Sequence, residues 1–184
     1  FISVILILLI GYFSFEEIKK RNKIKLANQF NSTIEDFKNG NKEKIISNLT
    51  KIINEQDSTY SPLALYFLID NNLIDEQDEI NNLFNILIDK TNLETEIKNL
   101  IIYKKALFNS NFVDENKLMK ILSPILNSES IWKSHGLYLI AEYFYSKNEK
   151  QKAKEFFNQI LMLTNSNNDI KLKSQKRISR DYSE

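Results

Sequence analysis

The sequence predicts an all-α fold: an apolar N-terminal helix followed by a stack of helical hairpins. Three observations carry this expectation. The 184 residues include only 3 Gly and 2 Pro, about 3% together where about 12% is ordinary, which disfavours turn-rich β-sandwiches and barrels. Apolar residues recur with a period near 3.6 in segment after segment. Asn clusters interrupt those segments at Asn39-Gly40-Asn41, Asn71-Asn72, Asn109-Ser110-Asn111 and Asn165-Ser166-Asn167-Asn168, and Asn favours turns because it tolerates φ > 0.

Residues 1–17 are expected to be a transmembrane anchor. The opening stretch FISVILILLIGYFSF carries no charge, and only Ser3, Gly11 and Ser14 are not hydrophobic. A spanning helix takes roughly 20 apolar residues at 1.5 Å each. The chain opens with Phe rather than Met, so the span is expected to continue upstream and to be N-terminally truncated here. A buried core helix would show a polar stripe, which is missing. A cleaved signal peptide would end in an A-x-A-like pattern, and Gly11-Tyr12-Phe13-Ser14-Phe15-Glu16 offers none. An uncleaved single-span anchor is the expectation. Lys19, Lys20, Arg21, Lys23 and Lys25 follow it and are expected to touch anionic lipid heads, at about 1 kcal/mol per residue. The positive-inside rule alone would hold this cluster in the cytoplasm.

Residues 18–184 are expected to form one helical repeat domain, long enough for a continuous core. Periodicity predicts helices near 18–38, 42–55, 61–72, 77–90, 94–110, 114–127, 130–146, 149–164 and 168–181. Their inner faces include Ile45, Leu49, Ile52 and Ile53; Ile80, Leu83, Phe84, Leu87 and Ile88; Leu118, Ile121, Leu122, Ile125 and Leu126; and Phe156, Phe157, Ile160, Leu161 and Leu163. Asp57 and Asp114 suit helix starts, where a carboxylate accepts from orphan amides. Pro124 is expected to bend or end the sixth helix.

A repeat test sharpens the stack. Leu137, Ile140, Ala141, Phe144, Ala153, Phe157 and Ile160 follow tetratricopeptide spacing, in which small residues let paired helices approach. Ala141 and Ala153 are the two small positions, Phe157 packs across them, and Lys147-Asn148-Glu149 supplies the turn. Phe30, Thr33, Ile34 and Phe37, then Ile45, Leu49 and Ile52, follow the same scheme with Ile45 in a small position. Residues 60–90 and 94–126 keep only the hairpin rhythm. About four hairpins of a tetratricopeptide-like α-solenoid are expected, with a generic helical bundle as the plainer reading.

Charge and composition narrow the function. Lys+Arg number 25 against 24 Asp+Glu, a formal charge of +1, which gives no general reason to bind nucleic acid. The absence of Cys removes disulfide frameworks, thiolate metal sites, Cys nucleophiles and a lipidated-Cys anchor. A single His leaves little for a His-based zinc site or dyad. Asp75 with Asp78 and Glu94 with Glu96 are better read as helix-start charge than as an acid/base pair. Lys171, Lys173, Lys176, Arg177 and Arg180 make a basic closing helix without the interleaved aromatics of a single-strand binder. No metal, cofactor, nucleic acid or small-molecule substrate is expected, and the chain is read as no enzyme. On the solenoid scheme, His135, Tyr138, Glu142 and Tyr145 project into a concave partner-binding groove. The plainer accounts are solvated surface for His135 and cover for the next hairpin for both tyrosines.

The order of parts resembles the YfgM-like proteins, the ancillary SecYEG translocon subunit family with a tetratricopeptide-like domain. The resemblance covers nearly the whole chain. It rests on Gly11-Tyr12 near the end of the span with a charged helix running from it, and on Gly40-Asn41 before an amphipathic helix. Further along it rests on Tyr60-Ser61-Pro62-Leu63-Ala64, on Trp132 with Leu139-Ile140-Ala141-Glu142, on Asn148-Glu149 and Ala153, and on Lys176-Arg177 in the closing helix. The resemblance implies a bacterial inner-membrane protein with one span and a periplasmic repeat domain. It also implies partners in the SecYEG channel and among periplasmic chaperones. A related envelope scaffold and a cytoplasm-facing adaptor are the alternatives.

Overall fold

The computed structural model describes residues 2–38 and 40–182, with side chains from residue 10 onward. Asn39 of the first Asn cluster therefore lies outside the described residues, as do Phe1 and the first nine side chains of the expected span. Among the described residues every regular element is helical, with no strand. The chain parts into two compact units, residues 1–92 and 93–184.

The first unit opens with α1 (Ile2–Asp36), followed by α2 (Lys42–Asn54), α3 (Tyr60–Asp70) and α4 (Gln77–Asn85). The boundary expected between an anchor ending at residue 17 and a helix starting at 18 falls inside α1, which runs through it unbroken. The change from apolar to charged side chains leaves the backbone unaffected, since no Pro lies in this stretch and Gly11 is open to solvent. Among the described residues no helix is long and apolar enough to cross a membrane, so the expected span at 1–17 is not shown.

From Ile10 to Lys25 every residue of α1 is exposed, and the first buried side chain is Leu26. Beyond it α1 packs on α2 and α3, with Phe30 against Tyr60 and Phe37 against Phe67. Gly40 is required after α1, because a Cβ there would stand 2.4 Å from the Asp36 carbonyl oxygen. Asn41 caps α2 by accepting from the Lys44 amide. Ile45, Leu49, Ile52 and Ile53 are all buried, as their spacing requires. The buried Ser61 hydroxyl donates to the Ile52 carbonyl at 2.8 Å, satisfying one acceptor at the end of α2. Asp57 accepts from the Thr59 and Tyr60 amides, both at 2.8 Å, and so starts α3. At the end of α4 the chain widens into one π-helical turn, Ile86–Lys90, within the stretch expected as a single helix.

The second unit comprises α5 (Thr95–Asn109), α6 (Glu115–Leu126), α7 (Lys133–Ser146), α8 (Lys150–Met162) and α9 (Asn168–Asp181). Helices α5 and α6 pair, as do α7 and α8, and α9 packs on both members of the latter pair. Asp114 caps α6 through the Lys117 amide at 2.8 Å. Pro124 sits inside α6, which ends two residues later at Leu126. Proline cannot donate to the carbonyl one turn back, and the Ser123 hydroxyl donates to that Lys120 carbonyl instead, at 3.0 Å.

Asn72 and Asn148 adopt φ of 48° and 62°. At each, the next amide reaches back to the last turn, Leu73 to Leu68 and Glu149 to Phe144, both at 2.9 Å. Left-handed Asn therefore closes these two helices in the manner usually left to Gly. Ala141, Ala153 and Phe157 have no exposed surface. Small residues at the first two sites bring α7 and α8 close, and the Phe157 ring meets Tyr138 edge-on at 5.6 Å. Phe144 stacks on Phe156 at 5.5 Å. Contacts therefore run 138 to 157 and 144 to 156, the antiparallel order of a hairpin.

Candidate functional site

Three of the groove residues named from sequence, Tyr138, Glu142 and Tyr145, come together on α7, and the chain's own α9 lies against them. Arg177 of α9 is the centre of the contact. Its Nε donates to Glu142 Oε1 at 2.8 Å while Nη2 donates to Oε2, a two-pronged pair. Its Nη1 donates to Asp181 Oδ2 at 3.2 Å. The guanidinium carbon stands 4.4 Å over the Tyr145 ring, within cation–π range. Arg177 and Glu142 are about a quarter exposed, at 23% and 29%, and Asp181 only 12%, so the network is largely shielded.

Hydrogen bonding within the network sets the electrostatics of Arg177 and Asp181, against an opposing effect of burial. Arg177 is held well above its ordinary pKa, chiefly by hydrogen bonding to Glu142. Asp181 is held far below the usual carboxylate range, first by Arg180 and also by Arg177. Arg180 donates to both Asp181 oxygens, at 2.6 and 2.8 Å. Burial raises the Tyr138 phenol, with Glu142 adding to the effect. Tyr182 folds beside the same cluster with its hydroxyl buried and unpartnered, and Lys154 of α8 lies 5.7 Å from its ring. These residues form a clamp that fixes α9, so the sequence-derived partner groove is occupied within the chain.

His135 departs from the solvated surface expected of it. It packs against Trp132 and against Tyr103 of α5, with ring centroids 5.0 and 5.7 Å away, and Tyr103 stacks on Trp132 at 5.9 Å. Its Nδ1 is buried without a hydrogen-bond partner. Burial lowers the His135 pKa and Lys173 lowers it further, against an opposing pull from the Ile131 carbonyl that falls short of a hydrogen bond. A neutral imidazole is the form this aromatic nest favours. Nearby, Ser130 donates to Glu96 at 2.8 Å and Ser134 accepts from the Asn167 amide at 3.2 Å, tying the start of α7 to α5 and to the cap of α9.

Sequence reasoning missed the clamp and the nest as units. Arg177 figures in the sequence only in the basic closing helix and in the Lys176-Arg177 motif of the resemblance, and Tyr103 and Asp181 not at all. The usable signal is spacing. Cross-helix hydrogen bonds of the second unit join residues 30 to 37 apart: Tyr143 to Val113, Asn167 to Ser134, Ser130 to Glu96, Arg177 to Glu142 and Lys152 to Glu115. That interval is the length of one helical hairpin.

The basic cluster lies elsewhere. Lys19, Lys20, Arg21, Lys23 and Lys25 are all exposed on α1, with Arg21 paired to Glu17 at 2.9 Å. Preceding them, Ile10, Tyr12, Phe13, Phe15 and Ile18 are 58–67% exposed, an apolar surface far larger than scattered single residues. Among the described residues no group of three or more His, Asp or Glu could hold a metal ion. No protein-family model, no curated protein and no solved structure matches the chain.

Proposed function

We propose that this chain is a membrane-tethered, non-catalytic scaffold that binds protein partners through its helical hairpins. The observation that carries the reading is the free half of α1. Ile10, Tyr12, Phe13, Phe15 and Ile18 are all more than half exposed, and five basic residues follow directly. An apolar stretch with a cationic collar suits insertion into a bilayer, the apolar part in hydrocarbon and the collar at the head groups. Residues 1–17 are accordingly read as a single-span membrane anchor. The hairpin-length interval of 30 to 37 residues in the second unit supports a tetratricopeptide-like arrangement, whose concave faces bind polypeptides.

The partners follow from the YfgM-like resemblance: the SecYEG translocon and periplasmic chaperones during protein export, from a bacterial inner-membrane position with the helical units in the periplasm. A related scaffold for cell-wall or outer-membrane assembly would have the same architecture. A cytoplasm-facing adaptor is the second reading, favoured by the exposed cluster at residues 19–25, which the positive-inside rule places in the cytoplasm.

Two measurements test these readings. A topology reporter fused after Glu184 is expected to report from outside the cytoplasm; a cytoplasmic signal overturns the export reading in favour of the adaptor. Co-purification in mild detergent is expected to recover SecY-channel subunits, and recovery of envelope-assembly proteins alone would replace secretion with that role.

A further inference from the structure

We propose that the concave face between α7 and α9 binds an acidic, extended peptide segment of a protein partner. The inference rests on the scaffold reading above and adds the chemistry of what is bound. Tyr138 of α7 and Leu172, Lys173, Lys176, Arg177 and Arg180 of α9 line a shallow, wide-open surface hollow. Lys173, Lys176 and Arg180, spaced three and four residues apart, fall along one stripe of the helix. Glu142 and Asp181 neutralise two of the four cations here, and both engage Arg177. Lys173 and Lys176 take part in no ion pair among the described residues and are exposed. Leu172, 55% exposed, stands beside them.

Charge and shape choose the occupant. A second helix paired as α8 pairs with α7 would need an apolar seam, and α9 spends its buried residues, Ile170 and Ser174, on its other side. Nucleic acid is a poor fit, because phosphate binding draws on many cations and single-strand binding on stacked aromatics, and Tyr138 is already packed on Phe157. A bilayer would require several apolar anchors where Leu172 is alone. Two lysines at one-turn spacing beside one apolar contact match a strand-like segment with carboxylates at alternate positions and an aliphatic residue between them.

The test uses the full chain in mild detergent and a fluorescein-labelled twelve-residue peptide of alternating Glu and Leu, read by anisotropy. Binding is expected at low salt and is expected to weaken markedly at 0.5 M salt, where exposed charges are screened. Lys173→Glu with Lys176→Glu is expected to weaken it about tenfold or more, and Leu172→Ser about threefold. Lys173→Gln with Lys176→Gln, which keeps helix propensity, guards against a folding artefact and should weaken binding in the same direction. The proposal is overturned if charge reversal leaves affinity unchanged, if the Lys-for-Glu peptide binds equally well, or if oligo-dT or phosphatidylglycerol vesicles bind through these lysines while the peptide does not. Recovery of channel subunits without peptide binding would leave the scaffold reading standing and remove this inference alone.

Discussion

The free half of α1 and the α7–α8 hairpin are both rich in large apolar side chains, yet one stands bare and the other is sealed. In α1, Ile10, Tyr12, Phe13, Phe15 and Ile18 are exposed, and apolar residues occupy every angle around the axis. In α7 and α8, Leu137, Ile140, Ala141, Phe144, Ala153, Phe157 and Ile160 fall on facing stripes and are all buried. Two alanines let the backbones approach so that aromatic rings can reach across. Hydrophobicity alone does not build a core; a stripe with small residues set opposite large ones does.

The sharpest way to break this contrast is Phe157→Ala. It should destabilise the second unit by about 3–5 kcal/mol, because it opens a cavity that the Ala141–Ala153 contact cannot close, as thermal melting would show. An alanine at Phe13 should leave melting unchanged within about 0.5 kcal/mol, being exposed; a large effect there would show that α1 has a partner within the chain. Next in size, Glu142→Ala should cost about 1–3 kcal/mol by removing the two-pronged partner of a partly buried Arg177 and leaving it only Asp181 as carboxylate partner. Limited proteolysis should then cut at residues 164–168 before the rest of the second unit is attacked.

Acid should separate the two regions as well. The His135 pKa is lowered on folding, so as pH falls below about 6.5 the unfolded chain takes up the proton first. Stability of the second unit is therefore steady above that value and declines as pH drops toward the folded pKa. His135→Phe should flatten this decline in melts run from pH 7.5 to 5, and an unchanged slope would place the titrating group elsewhere. The smallest effect on folding is expected from Lys19→Gln, Lys20→Gln, Lys23→Gln and Lys25→Gln together. Melting should shift by less than about 0.5 kcal/mol, while sedimentation with phosphatidylglycerol vesicles falls, at about 1 kcal/mol per lost charge.

Local chemistry made much of this fold legible. The Asp114 cap, the Asn-marked ends at Asn72 and Asn148, and most of the buried faces of α2, α4 and α6 each depend on residues within a few positions of one another, whereas Phe156, Leu161 and Leu163, expected on the inner face of α8, are only half-buried. The unbroken course of α1 was not legible, since an abrupt change of side-chain polarity mimics a boundary that the backbone does not have. Nor was the π-helical turn at Ile86–Lys90, because one extra residue in a turn barely disturbs the apolar period. The Glu142–Arg177 clamp lies beyond local reading, for its partners are 35 residues apart. His135 was misjudged for the same reason: Trp132 is near in sequence, but Tyr103, which completes the nest, comes from another helix.

The continuity of α1 has a mechanical consequence. From Ile10 to Leu26 the chain is a rod of about 24 Å at 1.5 Å per residue, stiff because nothing interrupts its hydrogen bonding. Whatever grips the bare end therefore dictates the tilt and the azimuth of the α2–α3 pair, with no swivel between them. Inserting one residue near Asn22 would rotate that pair by about 100°, whereas a Gly-Gly-Pro hinge at the same place would cut the linkage and let it turn freely.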